Sequence, residues 1–98
     1  METMMISYRV RPEHLEEHLV LLRAVHEEVA RTRPGGLRYQ TLRLDDGLSF
    51  VDVVMGPELP GPLPGLAAFR RFRADLDDRC EQRSMSGFSV VGSYGFGD

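Results

Sequence analysis

The chain has no lysine, no tryptophan and a single cysteine, Cys80. One cysteine excludes an intrachain disulfide and fits a reducing compartment. Basic residues do not exceed acidic ones. Twelve Arg against 15 Asp and Glu give a formal net charge of -3, which argues against nucleic acid as the main partner, because phosphate binding needs a basic face. That every basic residue is Arg has its simplest explanation in codon bias, although an Arg pointing into a pocket is a better anion fork than Lys. No apolar run approaches the roughly 20 residues of a membrane span. The opening Met1-Glu-Thr-Met-Met lacks the basic start and long apolar stretch of a signal peptide. Phosphate-cradling glycine loops, a nucleophile elbow and CxxC pairs are also missing. The expectation is a cytoplasmic protein with no nucleic-acid or membrane partner.

What remains suits one domain over residues 1–98, with 42% hydrophobic residues to build a core. Met4 to Val10 reads as a first strand. Pro12 and Glu13 suit a helix start, and Leu15, Leu19, Leu22, Val25 and Val29 recur at helical spacing until Pro34-Gly35-Gly36 stops them. Leu37 to Leu44 and Leu48 to Met55 read as strands joined by Asp45-Asp46-Gly47, a tight-turn signal that makes them antiparallel neighbours. Gly56 to Gly65, with four prolines and three glycines, reads as a loop. Leu66 to about Arg79 returns to helical spacing through Leu66, Phe69, Phe72 and Leu76. Ser86 to Phe96 is expected to be the last strand, with Cys80 buried at the end of the second helix.

This β-α-β-β-α-β order predicts an α+β, ferredoxin-like (split βαβ) fold, with a four-stranded antiparallel sheet and two helices on one face. Strand residues of both parities are apolar: Ile6, Tyr8 and Val10 in strand one, Val51, Val53 and Met55 on one parity of strand three, Phe50 and Val54 on the other. A sheet with one solvated face should alternate more cleanly, so a second subunit is expected on the outer face.

Strand one ending in Tyr8-Arg9-Val10-Arg11-Pro12, the long first helix, Arg33-Pro34-Gly35-Gly36-Leu37-Arg38-Tyr39 and the following hairpin resemble the antibiotic-biosynthesis monooxygenase type of dimeric α/β barrel. The resemblance implies a homodimer whose two sheets close into a barrel, with a pocket between sheet and helices. Members of this type include cofactor-independent oxygenases, haem-degrading enzymes and isomerases, so fold does not settle function. The Glu-Arg-Trp-like end that many members carry on strand three is replaced here by Val51-Asp52-Val53-Val54-Met55-Gly56, and the missing Trp speaks against haem degradation.

Several residues can carry chemistry. His26 falls on one helix face with Leu15, Leu19, Leu22 and Val29, at about 100° per residue. It is expected to point at the sheet, lose charge by burial and serve as a base. Asp52, flanked by Val51 and Val53, is the second catalytic candidate, with Arg43 or Arg73 as partner. Tyr8, Tyr39, Arg43, Phe69 and Arg73 are candidates for holding a small hydrophobic or aromatic ligand. His14 and His18 match an H-x-x-E-H metal pattern, but lack an identifiable third ligand and read as a solvated helix edge, so neither metal nor cofactor is expected. The leading expectation is a cofactor-independent monooxygenase acting on an aromatic or polyketide-like compound. The alternatives are a non-catalytic barrel that binds a small ligand or supports a partner enzyme, and an isomerase or cyclase on the same fold.

Overall fold

In β1 (Glu2–Val10) the pleat turns Tyr8 and Val10 inward and leaves Met5 outside. Residues 1–96 are described by a computed structural model. β1 pairs antiparallel with β3 (Ser49–Gly56), which pairs antiparallel with β2 (Arg38–Arg43). With β4 (Cys80–Ser86) at its other edge the sheet order is β2-β3-β1-β4, in keeping with the ferredoxin-like plan expected from the sequence. Register decides what each face carries. Ile6 lies opposite Asp52 and Tyr8 opposite Phe50, while Thr41 lies opposite Asp52 from the other side, so these five side chains share the face toward the helices. Met5 lies opposite Val53 and Leu42 opposite Val51, which puts them on the outer face. The Asp46 carboxylate accepts the amides of Leu48 and Ser49 and the Ser49 hydroxyl, locking the hairpin between β2 and β3.

A 3₁₀ turn at Pro12–His14 leads into α1 (Leu15–Thr32), which Arg33 ends in the left-handed conformation, φ 49°, its amide bonding the Val29 carbonyl. The Gly at position 36 has a separate reason. Its φ is 76°, and a Cβ there would sit 3.0 Å from the Pro57 ring. The second helix is shorter than its apolar spacing predicts. α2 (Ala67–Ala74) breaks at Asp75, and a single further turn, α3 (Leu76–Arg79), follows. Tyr8, Val10, Leu22, Val25, Phe50, Ala68, Phe72 and Leu76 form the core between sheet and helices. Among the described residues no helix is long and apolar enough to cross a membrane.

The last strand corrects the sequence expectation. β4 is Cys80–Ser86, not Ser86–Phe96, and Cys80 opens this strand instead of ending a helix. Opposite Ser7 to Arg9 the ladder takes one extra residue, with Gln82 at φ 53°, a β-bulge. Gly87 to Phe96 forms no strand. Phe88 is tethered to Thr3, whose hydroxyl bonds both its carbonyl and its amide. Beyond it Val90, Val91, Tyr94 and Phe96 lie exposed.

Candidate active site

A cavity of about 240 Å³ lies between the inner face of the sheet and α2, closed at one end by the proline-rich segment. Met4, Ile6 and Val54 floor it, Phe69 and Phe72 roof it, and Leu59, Pro60 and Leu63 wall it. Its polar groups are few: Tyr8, Tyr39 and Asp52 from the sheet, Arg73 from α2 and Arg83 from β4. Such an apolar space with sparse polar groups is the usual form of a small-molecule site, and its volume falls below the roughly 300–1,000 Å³ common for ligand pockets. A compact ligand fits it.

Asp52 is 4% exposed. The expectation that Arg43 or Arg73 pairs with it is not met. Arg43 bonds the Gly47 carbonyl at 3.0 Å, and the Arg73 guanidinium lies 6.0 Å from the Phe69 ring centre. Hydroxyls hold the carboxylate instead. Thr41 donates to its Oδ1 at 2.7 Å, and the Tyr8 hydroxyl supports its charged form from β1. Burial outweighs both, raising the carboxyl from 3.8 to about 6. Burial, with Asp52 nearby, pushes the Tyr8 and Tyr39 phenols above their ordinary range.

Behind Tyr8 stands a group the sequence reading missed. His18 is not on a solvated edge but is fully buried, at 0% exposure, with its ring centre 5.2–5.3 Å from those of Tyr8, Phe50 and Phe72. Its Nε2 lies 3.3 Å from the Tyr8 oxygen, and its Nδ1 accepts from Arg79 Nε at 3.5 Å. An Nδ1 that accepts must be bare, so the His18 proton sits on Nε2 and is donated to Tyr8. Burial first, then Arg79, lowers His18 from 6.5 to about 4. Arg79, only 1% exposed, also donates to the Phe72 carbonyl and pairs with no carboxylate among the described residues. His14 meets only Glu17, at 3.4 Å, so the two histidines of the H-x-x-E-H pattern turn to different partners. No group of three or more metal-capable side chains occurs among the described residues.

His26 is half-buried rather than central to the buried stripe, which runs through His18, Leu22 and Val25. It faces the sheet as expected, but from a separate, more open cleft that it shares with Arg23, Thr41, Arg43 and Phe50. Its Nε2 is 2.8 Å from Thr41 Oγ1, and its ring stacks on Tyr39 with centres 4.5 Å apart. Burial lowers its pKa from 6.5. Tyr39 borders both spaces. The structure thus gathers Tyr8, Tyr39, Asp52, Phe69 and Arg73 in one cavity and leaves His26 and Arg43 in the neighbouring cleft. Arg83 joins the cavity unforeseen, ion-paired to Asp77 at 3.1 Å. Nothing in the sequence flagged it, because the strand that carries it was expected further along the chain.

The split βαβ sheet with its helices on one face is the plan of the ferredoxin-like dimeric α/β-barrel class. Residues 1–53 match the antibiotic biosynthesis monooxygenase family, and the chain belongs to that family. Similar solved structures include a candidate antibiotic biosynthesis monooxygenase from Nitrosomonas europaea, with 21% identity, 94% of this chain and 100% of that one covered, and a TM-score of 0.75. Another is a mutant of SnoaB, a cofactor-independent oxygenase from Streptomyces nogalater, with 16% identity, 96% of each chain covered and a TM-score of 0.68. At these identities the likeness is one of fold. No curated protein matches the chain.

Proposed function

We propose that the protein is a cytoplasmic, homodimeric, cofactor-independent monooxygenase for a compact aromatic or polyketide-like compound, with Asp52 as its base. The observation that carries this reading is a carboxylate buried in a mostly apolar cavity, where burial pushes it up to about 6. A base poised near neutral pH takes a proton from an acidic phenol or from an activated CH₂ beside a carbonyl. The carbanion then reduces O₂. One oxygen atom replaces the two hydrogens as a carbonyl and the other leaves as water, the substrate supplying the electrons. Tyr8 and Tyr39 orient the polar edge of the ring, Phe69 packs on its face, and Arg73 and Arg83 attract the anion that forms.

The purified protein, given hydroxylated tricyclic aromatics with an activated CH₂ and no added flavin or metal, is expected to consume O₂ in equal amount to the ketone formed. Product without O₂ uptake would make it an isomerase or cyclase. Saturable binding with no product would leave only a ligand carrier.

Gly56 to Gly65 joins β3 to α2 along the cavity wall and, against the plain loop expected from its prolines, closes in a 3₁₀ turn at Leu63–Gly65, with the Leu59 amide held by the Glu2 carboxylate. The amides of Glu58 and Gly61, which have no protein partner among the described residues, are expected to exchange quickly in the free protein and to be slowed by the same aromatic substrate, as deuterium uptake will read. Strong protection without ligand would make the segment fixed packing instead of a flap.

A further inference from the structure

Two chains of hydrogen-bond donors converge on Asp52, and they end differently. The first runs from Arg79 through His18 and Tyr8. It ends in a buried guanidinium, a group that keeps its proton in proteins. That chain can polarise the carboxylate but cannot exchange a proton with water. The second runs from His26 through Thr41, with contacts of 2.8 Å and 2.7 Å. It ends at an imidazole. Among the described residues His26 Nδ1 has no protein partner, although every buried side-chain polar atom has one. Nδ1 therefore meets solvent in the cleft.

We propose that Thr41 and His26 form a proton path joining Asp52, inside the cavity, to the open cleft on the other side of Tyr39. The path has two polarities. With Asp52 ionised, the Thr41 hydroxyl donates to Oδ1, so Thr41 accepts from His26 Nε2–H and Nδ1 is bare. With Asp52 protonated, its O–H donates to Thr41, Thr41 donates to a bare Nε2, and Nδ1 carries the hydrogen. Passing from the second state to the first moves one proton along each link and releases one proton from Nδ1, and no electrons move. The other groups facing His26 do not compete. Arg23 and Arg43 line the cleft but cannot release protons near neutrality, and burial raises the Tyr39 phenol out of range.

The path gives the proposed base what a filled cavity denies it. Asp52 is only 4% exposed in the free protein, and a substrate seated on Phe69 and Tyr8 shuts out what water remains, so the Asp52 proton needs another exit in either state. His26 acts through Asp52 and so is a positioning residue with a proton to carry, not the base itself. This inference rests on Asp52 as the acid–base group, but its test needs no turnover.

The test reads the carboxyl ¹³C resonance of Asp52 by relaxation dispersion near its midpoint of about pH 6, in the free protein. In the wild type, protonated and ionised forms are expected to interconvert quickly. His26→Gln keeps a donor to Thr41 but cannot accept and release a proton, so the midpoint should hold while interconversion slows about tenfold or more. Thr41→Val should slow it likewise, and Thr41→Ser should restore it. If Thr41→Val does not fold, His26→Gln and Thr41→Ser still decide the matter. Unchanged interconversion in His26→Gln would overturn the path, because the proton would then reach Asp52 through the cavity mouth. A slowed rate in a protein that fails the oxygen assay would keep the path and remove the monooxygenase. An intact rate with oxygen uptake present would do the reverse.

Discussion

Asp52→Asn is expected to lose about 10²- to 10⁴-fold of turnover, the usual share of a general base, while becoming more stable at pH 7. Asn fits the same space and still reaches Thr41, but takes no proton. The gain in stability follows from linkage. The Asp52 carboxyl is raised from 3.8 to about 6 in the folded protein. Its favourable contribution is complete below 3.8 and is lost as pH rises through 6, so above 6 the ionised group costs about 3 kcal/mol on an order-of-magnitude scale. His18 has the opposite sign. It falls from 6.5 to about 4, so its contribution is present above 6.5 and lost as pH drops through 4. Between pH 4 and 6 the two slopes offset each other in the wild type. In Asp52→Asn the His18 slope stands alone, and stability should drop by about 3 kcal/mol on acidification across that range. Urea midpoints at a series of pH values will show this. A variant less stable than wild type at pH 7 would mean that Asp52 is a stabilising anion, and the argument for a poised base would fail with it.

Val53→Asp is expected to turn a dimer of twice the 11.1 kDa chain into a monomer. Val53 sits on the outer face of the sheet, opposite Met5 on β1 and Gln40 on β2. Met5 and Leu42 on the same face are 40% and 43% exposed, and the terminal segment leaves Val90 at 62% and Val91 at 98%. Apolar side chains exposed on an outer sheet face suit a surface that another subunit covers. A chain of this length also gains from hiding apolar area in an oligomer. An interface of ordinary size removes about 800 Å² from each partner. A carboxylate placed in its middle loses hydration worth several kcal/mol with no cation to receive it. Sedimentation velocity at micromolar concentration will separate the two forms. A wild-type protein that sediments as a monomer removes the barrel from the proposal.

The first two-thirds of the fold could be read from the sequence because its signals are local. Leucine spacing marks α1, Asp46-Gly47 marks the hairpin, and proline density marks the loop. β4 escaped because its identity is not local. Cys80–Ser86 is polar and exposed apart from its first two residues, as an edge strand can be, whereas the apolar residues beyond Ser86 imitate a strand but join no ladder among the described residues. The two helix histidines were misjudged for a related reason. Apolar spacing places Leu22 near the centre of the buried face but does not say which way that face leans. His18 goes inside because Tyr8, Phe72 and Arg79 meet it there, and Arg79 is 61 residues away along the chain. Asp52 stood out as a carboxylate inside an apolar strand. Its true partner, Thr41, is set by cross-strand register, which the hairpin turn fixes.

Tyr8, His26, Tyr39, Thr41 and Asp52 all precede the end of the family match at residue 53, whereas Leu59, Leu63, Phe69, Arg73 and Arg83 follow it. The groups of the proposed proton path and most of the cavity wall therefore occupy separate stretches of chain, brought together by the pairing of β1 with β4 and the packing of α1 on α2. Such a layout makes the two properties exchangeable by recombination. A chimaera that keeps residues 1–53 and takes the rest from another family member can acquire a different ligand preference while inheriting the same acid–base apparatus.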